Sequence, residues 1–140
     1  MARDFDVDVV GLSSYPGFTF SDPSKVPDDH FRRYLVAGGK PVIFVEGGWG
    51  SVPNDANPGS PEQQAAYYRR LFELLDGVQA ELALPIVFTD LDLADPGWGL
   101  TPERQAILLF FARMGIVDIN GRPKLAYGVW EERFRLPLKK

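Results

Sequence analysis

Three short runs rich in β-branched residues, each followed by a polar stretch able to form a helix, constrain this chain more than any other feature. They are Val7 to Leu12, Pro41 to Val45 and Leu84 to Thr89. The second and third lack strict apolar/polar alternation, which marks strands buried on both faces, as in a parallel sheet covered by helices. Pro41 and Pro85 stand at strand starts, where no ladder donor is lost. A first helix is expected over Val26 to Val36, with Phe31, Tyr34 and Leu35 at helical spacing and Gly38-Gly39 as its C-cap. The clearest helix begins at Ser60. Pro61 takes its first position, Ser60 and Gln63 form a capping-box pattern, and Tyr67, Tyr68, Leu71, Leu74 and Leu75 give one apolar face down to about Leu82. Further helices are expected from Thr101 to about Met114 and from Lys124 to Phe134. Strand and helix thus alternate, which implies right-handed βαβ crossovers and an α/β fold with a parallel sheet. At 140 residues the chain fits one domain, 1–140.

Composition narrows the function. Aromatic residues make up 13% of the chain, and Trp49 and Trp98 lie in the Gly-rich settings Gly-Gly-Trp-Gly and Pro-Gly-Trp-Gly. A flat apolar face on a loop suits a ring-shaped ligand such as a sugar, although loop tryptophans also serve as anchors packed on a core. With no cysteine and one histidine, disulfide scaffolds, thiolate catalysis and zinc sites built from Cys or His are excluded. The net charge of -4 with no basic stripe argues against nucleic acid as a partner. No apolar run reaches the roughly 18 residues of a membrane-spanning helix. The first residues, Met-Ala-Arg-Asp-Phe-Asp, carry no apolar signal core, so nothing in this chain marks it for export.

The chemistry concentrates at strand ends. Glu46 closes the second run and precedes Gly47-Gly48-Trp49, at the mouth of a buried parallel sheet, where ligands bind in α/β folds. A solvated or ion-paired strand-end acid is the alternative there. Ser13-Ser14-Tyr15-Pro16 ends the first run, and a Tyr15 hydroxyl at that place could reach a neighbouring strand's carboxylate and hold it by a hydrogen bond. Asp90 and Asp92 add polar groups to the same rim. With Asp95 they resemble a loose calcium loop, but the closing glutamate is absent and the spacing is wrong. The loop from Gly47 to Gly59 is long enough to expect a role for it. Neither Ala37-Gly38-Gly39-Lys40 nor Gly47-Gly48-Trp49-Gly50 completes a phosphate-binding spacing, and His30, in a charged segment, reads as a surface residue.

Asp8 to Pro16 (Asp-Val-Val-Gly-Leu-Ser-Ser-Tyr-Pro), Lys40 to Trp49 (Lys-Pro-Val-Ile-Phe-Val-Glu-Gly-Gly-Trp) and the closing stretch Gly115 to Trp130 together resemble the clan A glycoside hydrolases. The endo-β-1,4-galactanase family is the closest in look. The resemblance implies strands six to eight, with their helices, of a (β/α)8 barrel that hydrolyses a β-glycosidic bond with retention. Glu46 would match the nucleophile at the end of strand seven, Tyr15 the tyrosine beside it on strand six, and Trp49 a substrate platform. Trp98, Asp90 and Asp92 would contribute to substrate binding, with no metal and no cofactor. The chain departs from the family in two ways. The acid/base glutamate of strand four has no counterpart, because a full barrel needs about 250 residues. Asp90-Leu91-Asp92 stands where the family carries a strand-eight tryptophan. A carbohydrate is the implied partner, with no nucleic acid and no membrane. Exposed strand edges make a homodimer, or pairing with the missing N-terminal barrel half, the expected protein contact. The alternatives are a non-catalytic carbohydrate-binding or structural barrel remnant, and a truncated reading frame. Members of the family are often secreted or periplasmic.

Overall fold

The computed structural model describes residues 7–35, 39–54 and 58–136, with Pro96 described by its backbone alone. Three parallel strands form one sheet in the order β1 (Val10–Ser14), β2 (Val42–Gly47) and β3 (Leu82–Ala83). Helices α1 (Pro61–Asp76), α2 (Pro102–Leu109) and α3 (Leu125–Phe134) complete the regular structure, with short 3₁₀ turns between. The parallel α/β arrangement follows the order expected from the three runs, with several displaced boundaries.

The first strand lies three residues later than its sequence run, over Val10–Ser14. The third lies earlier, at Leu82–Ala83, instead of Leu84 to Thr89. Beyond it the backbone still follows β2, Leu84 N–H donating to Phe44 O and Ile86 N–H to Gly47 O, both at 2.9 Å. Successive strand residues donate to opposite sides, so Pro85, between these two donors, places its missing N–H toward the outer edge. Past Ile86 the chain leaves β2. Thr89 then forms an isolated parallel bridge with Val117, supported by Asp90 N–H to Val117 O at 2.9 Å.

The helix expected over Val26 to Val36 does not form. Among its described residues the segment carries one 3₁₀ turn, Arg32–Tyr34, and another, Pro23–Lys25, precedes it. Pro27 explains the break, since a residue before proline is driven out of the helical region, and Val26 is extended at ψ 118°. The C-cap expected at Gly38-Gly39 falls in part on Gly38, and Val36 is the expected end of that helix; both lie outside the described residues. α1 starts as expected. Ser60 Oγ accepts from Gln63 N–H at 3.1 Å, and the Gln63 amide turns instead to the carbonyl of Ser21, so the cap is one-sided. It ends at Asp76, well before Leu82, followed by a turn with Gln79 at φ 54°. α2 stops at Leu109, short of the expected Met114. α3 has the expected extent.

The core lies between the helix-facing side of the sheet and α1 with α3. Leu12, Val42 and Phe44 from the strands meet Tyr68, Leu71 and Leu75 of α1 and Val129 and Trp130 of α3. The Trp130 ring meets Tyr68 and Phe72 edge-on at 5.4 and 5.1 Å, a favoured aromatic geometry. Val26 and Phe31 join this core, the Phe31 ring lying 5.8 Å from that of Phe44. The other face of the sheet, with Gly11, Ser13 and Val45, is open to solvent. Among the described residues no helix is long and apolar enough to cross a membrane.

Candidate functional site

A fault in the sheet register sets the site. Leu12 pairs with Phe44, but the next residue, Ser13, pairs with Glu46, leaving Val45 as an extra residue on β2. In strict alternation Glu46 would share the helix-facing side with Val42 and Phe44. A bulge of one residue shifts the parity and re-aims the side chain that follows. Glu46 therefore joins Val45 toward the open face, at the C-terminal end of the strand. The next residue confirms the shift: a Cβ added at Gly47 would run into the Phe44 ring and the Ser14 carbonyl. Only glycine fits there.

Tyr15 follows β1 directly, and its hydroxyl donates a hydrogen bond to Glu46 Oε1 across the two strands. The contact anticipated from the strand-end positions is thus present. Burial, then the hydrogen bond to Glu46 and its negative charge, push the Tyr15 phenol above its usual range. The group stays a neutral donor at ordinary pH, so it can hold the carboxylate without competing for its charge. Glu46 is half-buried, and among the described residues no Lys, Arg or His forms an ion pair with it.

The other residues singled out in the sequence are not brought to this pair. Trp49 is 0% exposed, stacked on Tyr67 at 5.5 Å, so it presents no face to a sugar. Its role as a substrate platform is corrected to that of a core anchor. Asp90 is also withdrawn as a substrate contact. It is 7% exposed, bound to Lys124 Nζ at 2.6 Å, and lies 3.6 Å from an Arg113 nitrogen. Asp92 is exposed and accepts from Ala94 N–H at 3.1 Å, and Asp95 accepts from Gly97 N–H at 2.8 Å, so each caps its own turn. The three carboxylates of the supposed calcium loop thus have separate partners, and among the described residues no group of three or more His, Cys, Asp or Glu is placed to hold a metal. Trp98 is 45% exposed on the 3₁₀ turn Pro96–Trp98, and among the described residues its ring does not contact those that touch Tyr15.

Three residues that support the site drew no attention in the sequence, or the wrong kind. Gln64, fully buried on the apolar face of α1, donates to the carbonyls of Trp49 at 2.9 Å and Gly115 at 3.1 Å, tying the loop after β2 to the loop before α3. A polar residue in register with Tyr68, Leu71 and Leu75 was the available signal. Lys124 joins Asp90 to Ser51 Oγ at 2.9 Å, and Ser51 N–H donates to Arg113 O at 2.9 Å. His30, expected on the surface, is half-buried and shares a 2.8 Å hydrogen bond between its Nε2 and Ser14 Oγ, beside Tyr15 in the chain. Burial, with Arg33 nearby, lowers its pKa against the opposing pull of Asp29. The loop from Gly47 to Gly59 is pinned at both described ends, since a Cβ at Gly59 would collide with the Gly50 carbonyl. Its residues 55–57 lie outside the described set.

No family model matches the chain, and no curated protein matches it. Solved structures do. The β-glucuronidase of Bifidobacterium dentium, complexed with coumarin-3-O-glucuronide, aligns at TM-score 0.63 and 22% identity over 93% of this chain and 21% of its own. The Faecalibacterium prausnitzii β-glucuronidase aligns at 0.66 and 21%, over 93% of this chain and 22% of its own. A glycoside hydrolase family 17 β-1,3-glucanosyltransferase from Rhizomucor miehei aligns at 0.61 and 15%, over 88% of this chain and 43% of its own. The chain thus spans about a fifth of the glucuronidases and less than half of the transferase. At these identities the likeness is one of fold: a three-stranded parallel α/β segment similar to part of a glycoside-hydrolase-like barrel.

Proposed function

We propose that this chain carries the nucleophile side of a retaining β-glycosidase site, with Glu46 as the nucleophile and Tyr15 as the hydroxyl that positions it. The supporting observation is the Tyr15–Glu46 hydrogen bond at the C-terminal ends of two adjacent parallel strands, where the barrel fold builds its sites. Retention needs a second carboxyl about 5–5.5 Å from the first, as acid and then base. Neither Asp90, paired with Lys124, nor Asp92, capping its own turn, is offered to Glu46. The acid/base therefore comes from further strands that pair with the open edges of this sheet. The resemblance of the strand-end motifs favours β-1,4-linked galactose polymers, while the names of the structural neighbours favour β-glucuronides or β-1,3-glucans.

A substrate that needs no protonated leaving group isolates Glu46. With 2,4-dinitrophenyl β-glycosides, a Glu46 carboxylate oxygen bonds to the anomeric carbon while the carbon–oxygen bond to dinitrophenolate breaks, and the phenolate leaves with the electron pair. The purified chain should release a burst approaching one dinitrophenolate per chain with at least one sugar of a galactoside, glucoside and glucuronide panel. Glu46→Gln should give none. No burst from the wild type, or one that survives Glu46→Gln, overturns the assignment. A non-catalytic sugar-binding remnant is the second reading, favoured by the lack of an acid partner for Glu46. It predicts sugar binding without any burst.

A further inference from the structure

With Trp49 buried, the site would lack an aromatic surface, yet a different one lies against it. Phe18, on the turn after β1, is 47% exposed, and Phe110, just past α2, is 37% exposed. The two rings meet edge-on at 6.0 Å and 90°. Phe111 lies 6.4 Å from Phe18 and 5.3 Å from Tyr15, and Tyr15 lies 5.8 Å from Phe18 at a shallow 31°. Tyr15 therefore belongs to both constellations. Its ring is the inner member of a four-ring cluster, and its hydroxyl holds Glu46. None of the sequence signals pointed to Phe18 or Phe110, which come from segments far apart in the chain.

Exposed phenylalanines are costly to leave in water, and here they are clustered, held by one another, and continuous with a carboxylate. A pyranose offers the matching surface, with an apolar face of axial C–H groups and hydroxyls around its edge. We propose that Phe18, Phe110 and Tyr15 form the platform on which the sugar beside the scissile bond stacks, and that the ligand it takes is a neutral β-linked disaccharide. The neutral class follows from charge: the Tyr15 hydroxyl holds the Glu46 carboxylate at the platform, and among the described residues no ion pair offsets it, so a uronate would meet a like charge there. This rests on the reading of Glu46 and Tyr15 as the reacting end of the site.

The test is ligand-observed NMR titration of the full chain with β-1,4-galactobiose, laminaribiose and methyl β-glucuronide. One or both neutral disaccharides should bind, and the glucuronide should bind more weakly. Phe18→Ala and Phe110→Ala should each weaken binding about two- to tenfold, the worth of one aromatic contact. Phe18→Tyr, which keeps the ring, should bind as the wild type does and so separates a lost platform from a lost fold. Disaccharide binding that neither alanine variant weakens overturns the platform and leaves the glycosidase reading standing. Binding lost in both variants, with no dinitrophenolate burst from the wild type, upholds the platform and overturns the glycosidase reading. A drop in particle mass in both alanine variants with sugar binding unchanged assigns these rings to a second copy of the chain, and overturns the proposal. So does failure of either neutral disaccharide to bind up to its solubility limit.

Discussion

Glu46 owes its direction to one extra residue. Without the Val45 bulge it would point into the core against α1, where an unpaired carboxylate is costly, and the open rim would carry a glycine. Gly47 permits the turn because the Phe44 ring and the Ser14 carbonyl occupy the space of a side chain. Gly47→Ala should cost about 1–3 kcal/mol, as overpacking typically does, measured as a fall in the chemical-denaturation midpoint. An unchanged midpoint would mean that the strand ends can spread, and that the bulge does not fix Glu46. Tyr15→Phe keeps the ring contacts and removes only the donor. It should slow the dinitrophenolate burst about 10- to 100-fold, the range of a hydrogen bond to a charged group. At this scale much was legible in the sequence. A carboxylate closing a buried run and a tyrosine closing the neighbouring run were both visible, and their contact follows from adjacency in a parallel sheet. The bulge was not visible, because register is set by side-chain fit between strands that a single run does not encode. Trp49 shows the other limit: a tryptophan among glycines looks the same in sequence whether it faces water or, as here, stacks on Tyr67 of α1.

Between elements, two polar contacts hold the segments that frame the rim. His30 ties the 3₁₀ segment to the end of β1 through Ser14. Its pKa is lowered by burial, so between the folded value and the ordinary value of about 6.5 the unfolded chain binds more protons than the folded one. The stability linked to burying the neutral ring is complete above about pH 6.5 and is lost as pH falls through the folded value. Denaturation midpoints measured across this window should fall toward acid in the wild type, and less steeply in His30→Gln. Parallel slopes in the two proteins would contradict the burial of a neutral His30. Lys124 ties α3 to the third strand segment through Asp90. Removing the lysine leaves a buried carboxylate with only Arg113 at 3.6 Å. Lys124→Met should therefore cost near the lower end of the about 3–5 kcal/mol typical of a broken buried pair. A loss well under 1 kcal/mol, read by the same denaturation, would show that Arg113 takes over the role. The helices illustrate why some elements were legible and others were not. α1 declared itself through its cap and apolar spacing. The segment around Pro27 had helical spacing but also a proline that breaks it, and the local rule outweighed the periodic one.

The whole molecule is a sheet covered on one side only. Its helix-facing side packs on α1 and α3, while the opposite side carries small and apolar residues, Gly11, Ser13 and Val45, and among the described residues no strand pairs with the outer edge of β1 or β3. Pro85 blunts the edge beside β3, where it has no N–H to offer, but β1 carries no such guard. Exposed apolar residues gather on the same molecule, among them Leu82 and Phe134 at a hollow between the third strand, α1 and α3. A sheet covered on one side is consistent with a segment of a larger barrel, in keeping with the fold likeness to β-glucuronidases of which this chain spans about a fifth. The parallel direction was readable from alternating runs of residues, and the strand order only from the resemblance to strands six to eight of a barrel. The uncovered face was readable only once the runs were matched to a closed barrel, because nothing in an individual strand says how many neighbours complete its sheet. The most direct test of this account is the mass of the purified chain, measured by light scattering on a sizing column. A chain with an open barrel face and free edges should associate, giving a particle of at least twice its 15.6 kDa mass. A stable, compact monomer would show a self-sufficient three-stranded domain, and would contradict the reading of this protein as part of a barrel.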